Sequence, residues 1–204
     1  MFNKYVAHPW HGIDPGEKTP ETVTAFIEIT PHDNVKYEVD KSSGFLKVDR
    51  PQLFSNIVPA LYGFIPKTYC GDGIAKICME ATGKSNIIGD GDPLDICVLT
   101  ERNIIHGNIL VQCKPIGGFR MIDNQEADDK IIAIMQDDRV YGDWDDINEL
   151  PASLRDRLLH YFLTYKLVPG EKSQPTVEIT HVYGKEEAYR IIQASLIDYQ
   201  NLVS

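Results

Sequence analysis

Residues 89–99 read Gly89-Asp90-Gly91-Asp92-Pro93-Leu94-Asp95-Ile96-Cys97-Val98-Leu99, a carboxylate-rich turn that runs straight into an apolar strand, Asp95 to Thr100. The turn places three carboxylates within six residues, and like charges at that spacing repel one another. Either some of them stay protonated or a hard cation sits between them. A solvated Asx-rich turn is the plain alternative. Pro93 and Gly91 argue against it, because they fix the shape of the loop where a plain turn requires no fixed shape.

Upstream, Thr24 to Thr30 and Val35 to Asp40 alternate in polarity and are joined by Pro31-His32-Asp33-Asn34, which predicts a β-hairpin with Phe45 to Arg50 as a third strand. A period of two puts Lys36, Glu38 and Asp40 on one face of the second strand. That face is either solvated or the inward lining of a charged site in a small barrel. Ile74 to Met79, Ile109 to Pro115 and Lys130 to Ala133 add further strands, and Gly83 reads as a hairpin turn. Pro151 opens a helix carrying Leu154, Leu158, Phe162 and Tyr165 at helical spacing, which ends before Pro169-Gly170. A second helix follows Gly184, with Ala188, Ile191, Ile192, Leu196 and Tyr199 as its apolar stripe. Strands first and helices late predict an α+β fold.

With 204 residues, 43% of them apolar, the chain can fill one core of ordinary density, so a single domain over 1–204 is expected. Twenty Lys+Arg against thirty Asp+Glu leave a net charge of −10. This repels a phosphate backbone, so no nucleic-acid partner is expected, and an anionic ligand must be attracted by bound cations or a local group of Lys and Arg. No run approaches the roughly 18 apolar residues of a membrane helix. The start, MFNKYVAHPWHGIDPGE, lacks the apolar stretch of a signal peptide, and a cytoplasmic location with no membrane partner is expected. Cys70, Cys78, Cys97 and Cys113 show no CxxC spacing, which predicts reduced thiols, with Cys78 and Cys97 as strand filler.

Two rival motifs fail on inspection. Asp90, Asp92 and Glu101 fall at positions 1, 3 and 12 of a calcium-binding EF-hand loop, but Leu94 stands at position 5, Asp95 replaces the glycine at position 6, and a strand follows where a helix is needed. Gly83-Lys84-Ser85 imitates the end of a nucleotide-binding P-loop, whose first glycine would fall at Cys78. His8 and His11 have ligand-like spacing but Pro9 between them and no third ligand, so they read as part of an extended N-terminal segment over residues 1–20. A second acidic group, Asp123, Glu126, Asp128 and Asp129, precedes Lys130 and a strand; alone it reads as an acidic surface loop, but two acidic loops each leading into a strand could meet at one end of a barrel.

The hexapeptide Asp90 to Asp95 resembles the D-G-D-P-[LVI]-D signature of the soluble inorganic pyrophosphatases. The resemblance extends in order through Ile27-Glu28-Ile29, Lys36-Tyr37-Glu38, Val48-Asp49-Arg50, Tyr62 to Pro66, the Asp123 to Lys130 loop and Tyr165-Lys166, across about two thirds of the chain. It implies a five-stranded OB-type closed β-barrel with two main helices packed against it, and hydrolysis of pyrophosphate to two phosphates. It also implies a role for each matched residue. Asp90, Asp95 and Asp128 would be ligands of the tighter metal sites. Asp123 and Glu28 would serve metals arriving with substrate, with Glu38 in the same pocket. Lys36, Arg50, Tyr62, Lys130, Tyr165 and Lys166 would hold the phosphates, and Asp92 would be the general base.

The chemistry accounts for those residue types. Pyrophosphate repels an incoming hydroxide unless cations neutralise its oxygens, so catalysis is mostly positioning and electrostatics. Oxygen ligands without thiolate or imidazole select Mg²⁺, with Mn²⁺ as a substitute. Water between two such ions ionises more readily, and Asp92 would take its proton. The chain departs from the bacterial pattern in three places: Val58 replaces a tyrosine, Asn124 an acidic residue, and Thr164 an interface histidine. A homo-oligomer is therefore expected without a fixed number. Residues 67–89 are longer than in short bacterial relatives and read as an inserted hairpin.

Overall fold

The computed structural model describes residues 7–172 and 176–204. Among the described residues there are ten strands: β1 Val23–Ile29, β2 Val35–Val39, β3 Leu46–Pro51, β4 Leu61–Phe64, β5 Ile88–Gly89, β6 Asp95–Leu99, β7 Ile109–Asp123, β8 Glu126–Ala127, β9 Lys130–Met135 and β10 Val177–Gly184. Helices α1 Asp72–Thr82, α2 Ala152–Thr164 and α3 Lys185–Val203 accompany them. Pairing runs β1–β4–β6–β9–β7 and returns from β7 to β1. All contacts in this cycle are antiparallel except β6 with β9. The length of β7 explains how it serves several partners: its first third pairs with β1, its middle with β9, and its last half with β10.

The central strands bury both faces. On β6 and β9, Ile96, Val98, Ile131 and Ala133 join one apolar cluster with Ile74 of α1 and Ile191 of α3, while Cys97, Leu99, Ile132 and Ile134 join another with Leu158 and Phe162 of α2. Period-two alternation thus divides the core between two sets of helices.

Several expectations are corrected. The first two strands do not form a hairpin: β1 is buried along its whole length and both its edges are taken, by β4 and β7, leaving β2 to pair with β3 in a separate two-stranded sheet. Residues 67–89 are not an inserted hairpin, and Ile74 to Met79 are not a strand. They lie in α1, a third helix beyond the two expected, and Cys78 is helical core rather than strand filler. Ile74, Ala75, Ile77 and Cys78 bury one helical stripe. Gly83 ends the helix in the left-handed conformation, at φ 68°, and its N–H bonds to Met79 O. The described part of the N-terminal segment is turned rather than extended: Gly12 N–H donates to His8 O, and Thr22 N–H to Lys18 O. Its stretch over 1–6 lies outside the described residues. The four cysteines are buried and free. No helix among the described residues is long and apolar enough to cross a membrane.

Candidate active site

The loop at 89–95 is held against the segment at 68–70. Cys70 N–H donates to Asp92 O at 2.8 Å and Gly91 N–H to Cys70 O at 3.1 Å, while Leu94 N–H reaches Thr68 Oγ1 at 2.9 Å. A Cβ on Gly89 would come within 2.1 Å of Cys70 O, and Gly91 has φ +75°, so both positions require glycine. The backbone turns Asp90, Asp92 and Asp95 toward one cavity of about 310 Å³.

Four further elements bring side chains to the same cavity. Glu28 comes from the end of β1, Lys36 and Glu38 from one face of β2, Tyr62 from β4, and Tyr165 and Lys166 from just beyond α2. Asp123, Glu126, Asp128 and Lys130 arrive from β7, β8 and β9, so the two acidic loops do converge. In the β6–β9 register Asp95 faces Lys130, which explains why these two adjoin. All the expected site residues line the cavity except Arg50, which lies on β3 opposite Lys36 with its nearest carboxylate, Asp49, at 3.8 Å. Trp10, Lys41, Tyr161 and Phe162, which no motif singled out as site residues, also stand in the wall. Asp129 turns away from the cavity, as strand alternation requires, toward Arg120. His11 bonds Tyr199 at 2.9 Å, consistent with a structural role.

Charge dominates the interior. Lys130 Nζ lies between Asp95 and Asp128 and donates to both; Lys166 pairs with Asp123, Lys41 with Asp92, and Lys36 with Glu38. Tyr62 donates to Asp95 at 2.5 Å, and Val39 N–H to Glu28 Oε1 at 2.6 Å. The lysines do not balance the carboxylates. Burial first, then Asp128, pushes Asp90 up to about 9. Burial, with Asp95 and Glu38 adding to it, pushes Glu28 up to about 8. Asp95 is raised by burial against the pull of Lys130. Burial lowers Lys130, but Asp128 and Asp95 more than offset it and hold the ammonium charged.

Excess buried negative charge of this kind fits hard cations, and the donors are carboxylate oxygens without thiolate or imidazole. Among the described residues no three acidic, histidine or cysteine side chains form a ready-made ligand cluster. The lysine contacts hold the carboxylates instead. The arrangement can bind a compact, highly charged anion together with cations, and places a half-exposed carboxylate, Asp92, at the cavity's edge.

Comparison with known proteins agrees. The sequence model of the family described as inorganic pyrophosphatase matches residues 25–200. The chain is 54% identical over 200 residues to an inorganic pyrophosphatase of Chlamydia trachomatis, covering 97% of this chain and 96% of the relative. It is 36% identical to soluble inorganic pyrophosphatase 2 of Chlamydomonas reinhardtii, covering 98% and 92%. Its structure resembles that of the inorganic pyrophosphatase from Thermus thermophilus with a TM-score of 0.79 at 28% identity, covering 95% and 99%.

Proposed function

The chain belongs to the inorganic pyrophosphatase family and hydrolyses pyrophosphate, and from that premise we propose how this pocket performs the reaction. The observation that carries the proposal is the convergence of both acidic loops with Lys36, Lys130, Tyr165 and Lys166 in one cavity. The chain acts as a single domain over 1–204, and the strand cycle from β1 back to β1 is the OB-type barrel. Asp90, Asp95 and Asp128 hold divalent cations, Mg²⁺ or in its place Mn²⁺, with Asp123, Glu28 and Glu38 available to ions that enter with substrate. The chemistry such ions would supply is neutralisation of the diphosphate oxygens and a lowered pKa for a bound water. Lys36, Lys130, Lys166, Tyr62, Tyr165 and Arg50 donate to the phosphates, Arg as a fork and Lys as point charges. Asp92 accepts the proton of the attacking water, a role supported by its half-exposed position at the cavity edge.

A cytoplasmic setting is supported by the four free thiols. A homo-oligomer is supported by Phe45, Val48 and Phe54, which are exposed along and just after the β2–β3 hairpin. Phosphate release from pyrophosphate tests the metal assignment: with Mg²⁺ the purified protein turns over, and chelation abolishes the activity. Undiminished turnover in excess chelator would refute it.

A further inference from the structure

Among the described residues, the buried side-chain polar atoms without a hydrogen-bond partner are Arg50 Nη1, both amide atoms of Gln52, and Asp129 Oδ1. The Arg50 and Gln52 atoms belong to the end of β3 and the residue after it. Gln52 is only 9% exposed. An unpaired buried amide or guanidinium nitrogen destabilises a fold, so its retention beside a binding cavity calls for a functional explanation.

Gln52 and the charge of Arg50 both act on the hydroxyl of Tyr161, on α2. Burial, then Tyr165 and Cys97, push that hydroxyl up to about 12, while the Gln52 amide and Arg50 guanidinium pull it back down. Tyr161 lines the cavity and is otherwise buried, with its ring stacked 5.3 Å from Tyr165 and edge-on to Phe162 at 5.2 Å. Those ring contacts leave it little freedom to turn. Neither amide atom of Gln52 reaches full hydrogen-bond geometry with any partner.

We propose that Tyr161 is a further substrate-binding residue, donating with Arg50 to a phosphate oxygen of the diphosphate, and that Gln52 is a positioning residue whose amide N–H bonds the Tyr161 oxygen and leaves its proton aimed at the cavity. The proposal rests on the pyrophosphatase reading of this pocket and extends it. It gives Arg50, off the cavity wall, a part in the site, with Arg50 and Tyr161 donating to the same phosphate. Gln52 keeps its unpaired amide because that amide acts when the phosphate is bound.

Tyr161→Phe, Gln52→Met and the double variant test this through kcat, KM for pyrophosphate, inorganic-phosphate affinity by calorimetry, and Tm. Tyr161→Phe is expected to raise KM and weaken phosphate binding about tenfold, the effect of one lost hydrogen bond to a charged group. Gln52→Met should raise Tm, by removing an unpaired buried amide, while still raising KM several-fold. The double variant should bind phosphate no worse than Tyr161→Phe alone, because Gln52 acts only through that hydroxyl. KM and phosphate affinity of Tyr161→Phe within twofold of wild type would overturn the substrate contact, and multiplicative losses in the double variant would overturn the positioning role. A wild-type protein that releases no phosphate from pyrophosphate would instead sink the reading of the pocket, so the two failures are distinguishable.

Discussion

Arg120 is the most informative place to perturb the fold, because it is 2% exposed and holds the far side of the strand end that carries Asp128 and Lys130. Its Nη2 lies 3.3 Å from Asp129 Oδ2 and 2.8 Å from Glu187 Oε1, its guanidinium sits 5.3 Å from the centre of the Tyr183 ring, and Tyr183 donates to the same Asp129 oxygen at 3.0 Å. Arg120→Met keeps the volume and removes the charge, leaving Asp129, 1% exposed, without its cation. Breaking a buried pair from one side costs about 3–5 kcal/mol, a large share of the ~5–15 kcal/mol that stabilises a typical domain. At a slope of roughly 2 kcal/mol per M in urea, the unfolding midpoint should fall by about 1.5–2.5 M at equal protein concentration. Arg120→Met combined with Asp129→Leu removes both charges and should recover about 2 kcal/mol or more of the loss. A single variant within ~1 kcal/mol of wild type, or a double variant less stable than the single, would refute the reasoning.

Asp138 gives the pH dependence. Burial alone would raise its carboxyl, but bonds from Tyr141 N, Thr100 Oγ1, Glu101 N and Val140 N hold it down at about 2. A depressed folded pKa contributes stability above the unfolded value of about 4, lost as pH falls through about 2, so Asp138→Asn should cost about 2 kcal/mol near neutrality and less as the pH drops from 4 to 2. Urea midpoints of both proteins at pH 6 and pH 2.5 check this, and a gap that does not narrow contradicts it. Asp198 on α3 accepts from the N–H groups of Gly71, Gly73 and Ile74 at 3.0–3.1 Å and so caps α1 from a distance. Asp198→Ala should cost about 1–2 kcal/mol and speed amide exchange in α1 selectively, and uniform exchange would contradict the cap. Asp92→Asn should cut kcat roughly 10²–10⁴-fold with KM little changed. The contacts that shape its loop use the Asp92 backbone, so full activity would move the base role elsewhere.

The site was more legible than the fold around it. Asp90, Asp92 and Asp95 stand together in sequence. A period of two put Lys36, Glu38 and Asp40 on one strand face, but a solvated face stayed open until the resemblance named Lys36 and Glu38, and Asp40 does not reach the cavity. Asp123 and Asp128 read as an acidic surface loop by charge alone, and only the resemblance to the pyrophosphatases marked them. Tyr161 carried no such signal, because helical spacing marks it as core next to Phe162, and only the buried amide of Gln52 against its hydroxyl separates it from core filling. Misreadings of the fold arose where distant residues decide local structure. α1 is capped by a carboxylate more than a hundred residues away, and β1 is claimed by β4 and β7 before its neighbour β2 can pair with it. β10 alternates weakly and is interrupted by a register shift between Ile179 and His181, so its pairing with β7, not its pattern, makes it a strand.

The central claim is that the carboxylates of the 89–95 and 123–130 loops hold divalent cations together in one cavity. Anomalous scattering from crystals soaked with Mn²⁺ and phosphate tests it most directly: peaks bounded by Asp90, Asp95 and Asp128 are predicted, with Lys130 displaced from between the two carboxylates it now joins. Crystals with well-ordered side chains there and no anomalous peak among them at saturating Mn²⁺ would contradict it.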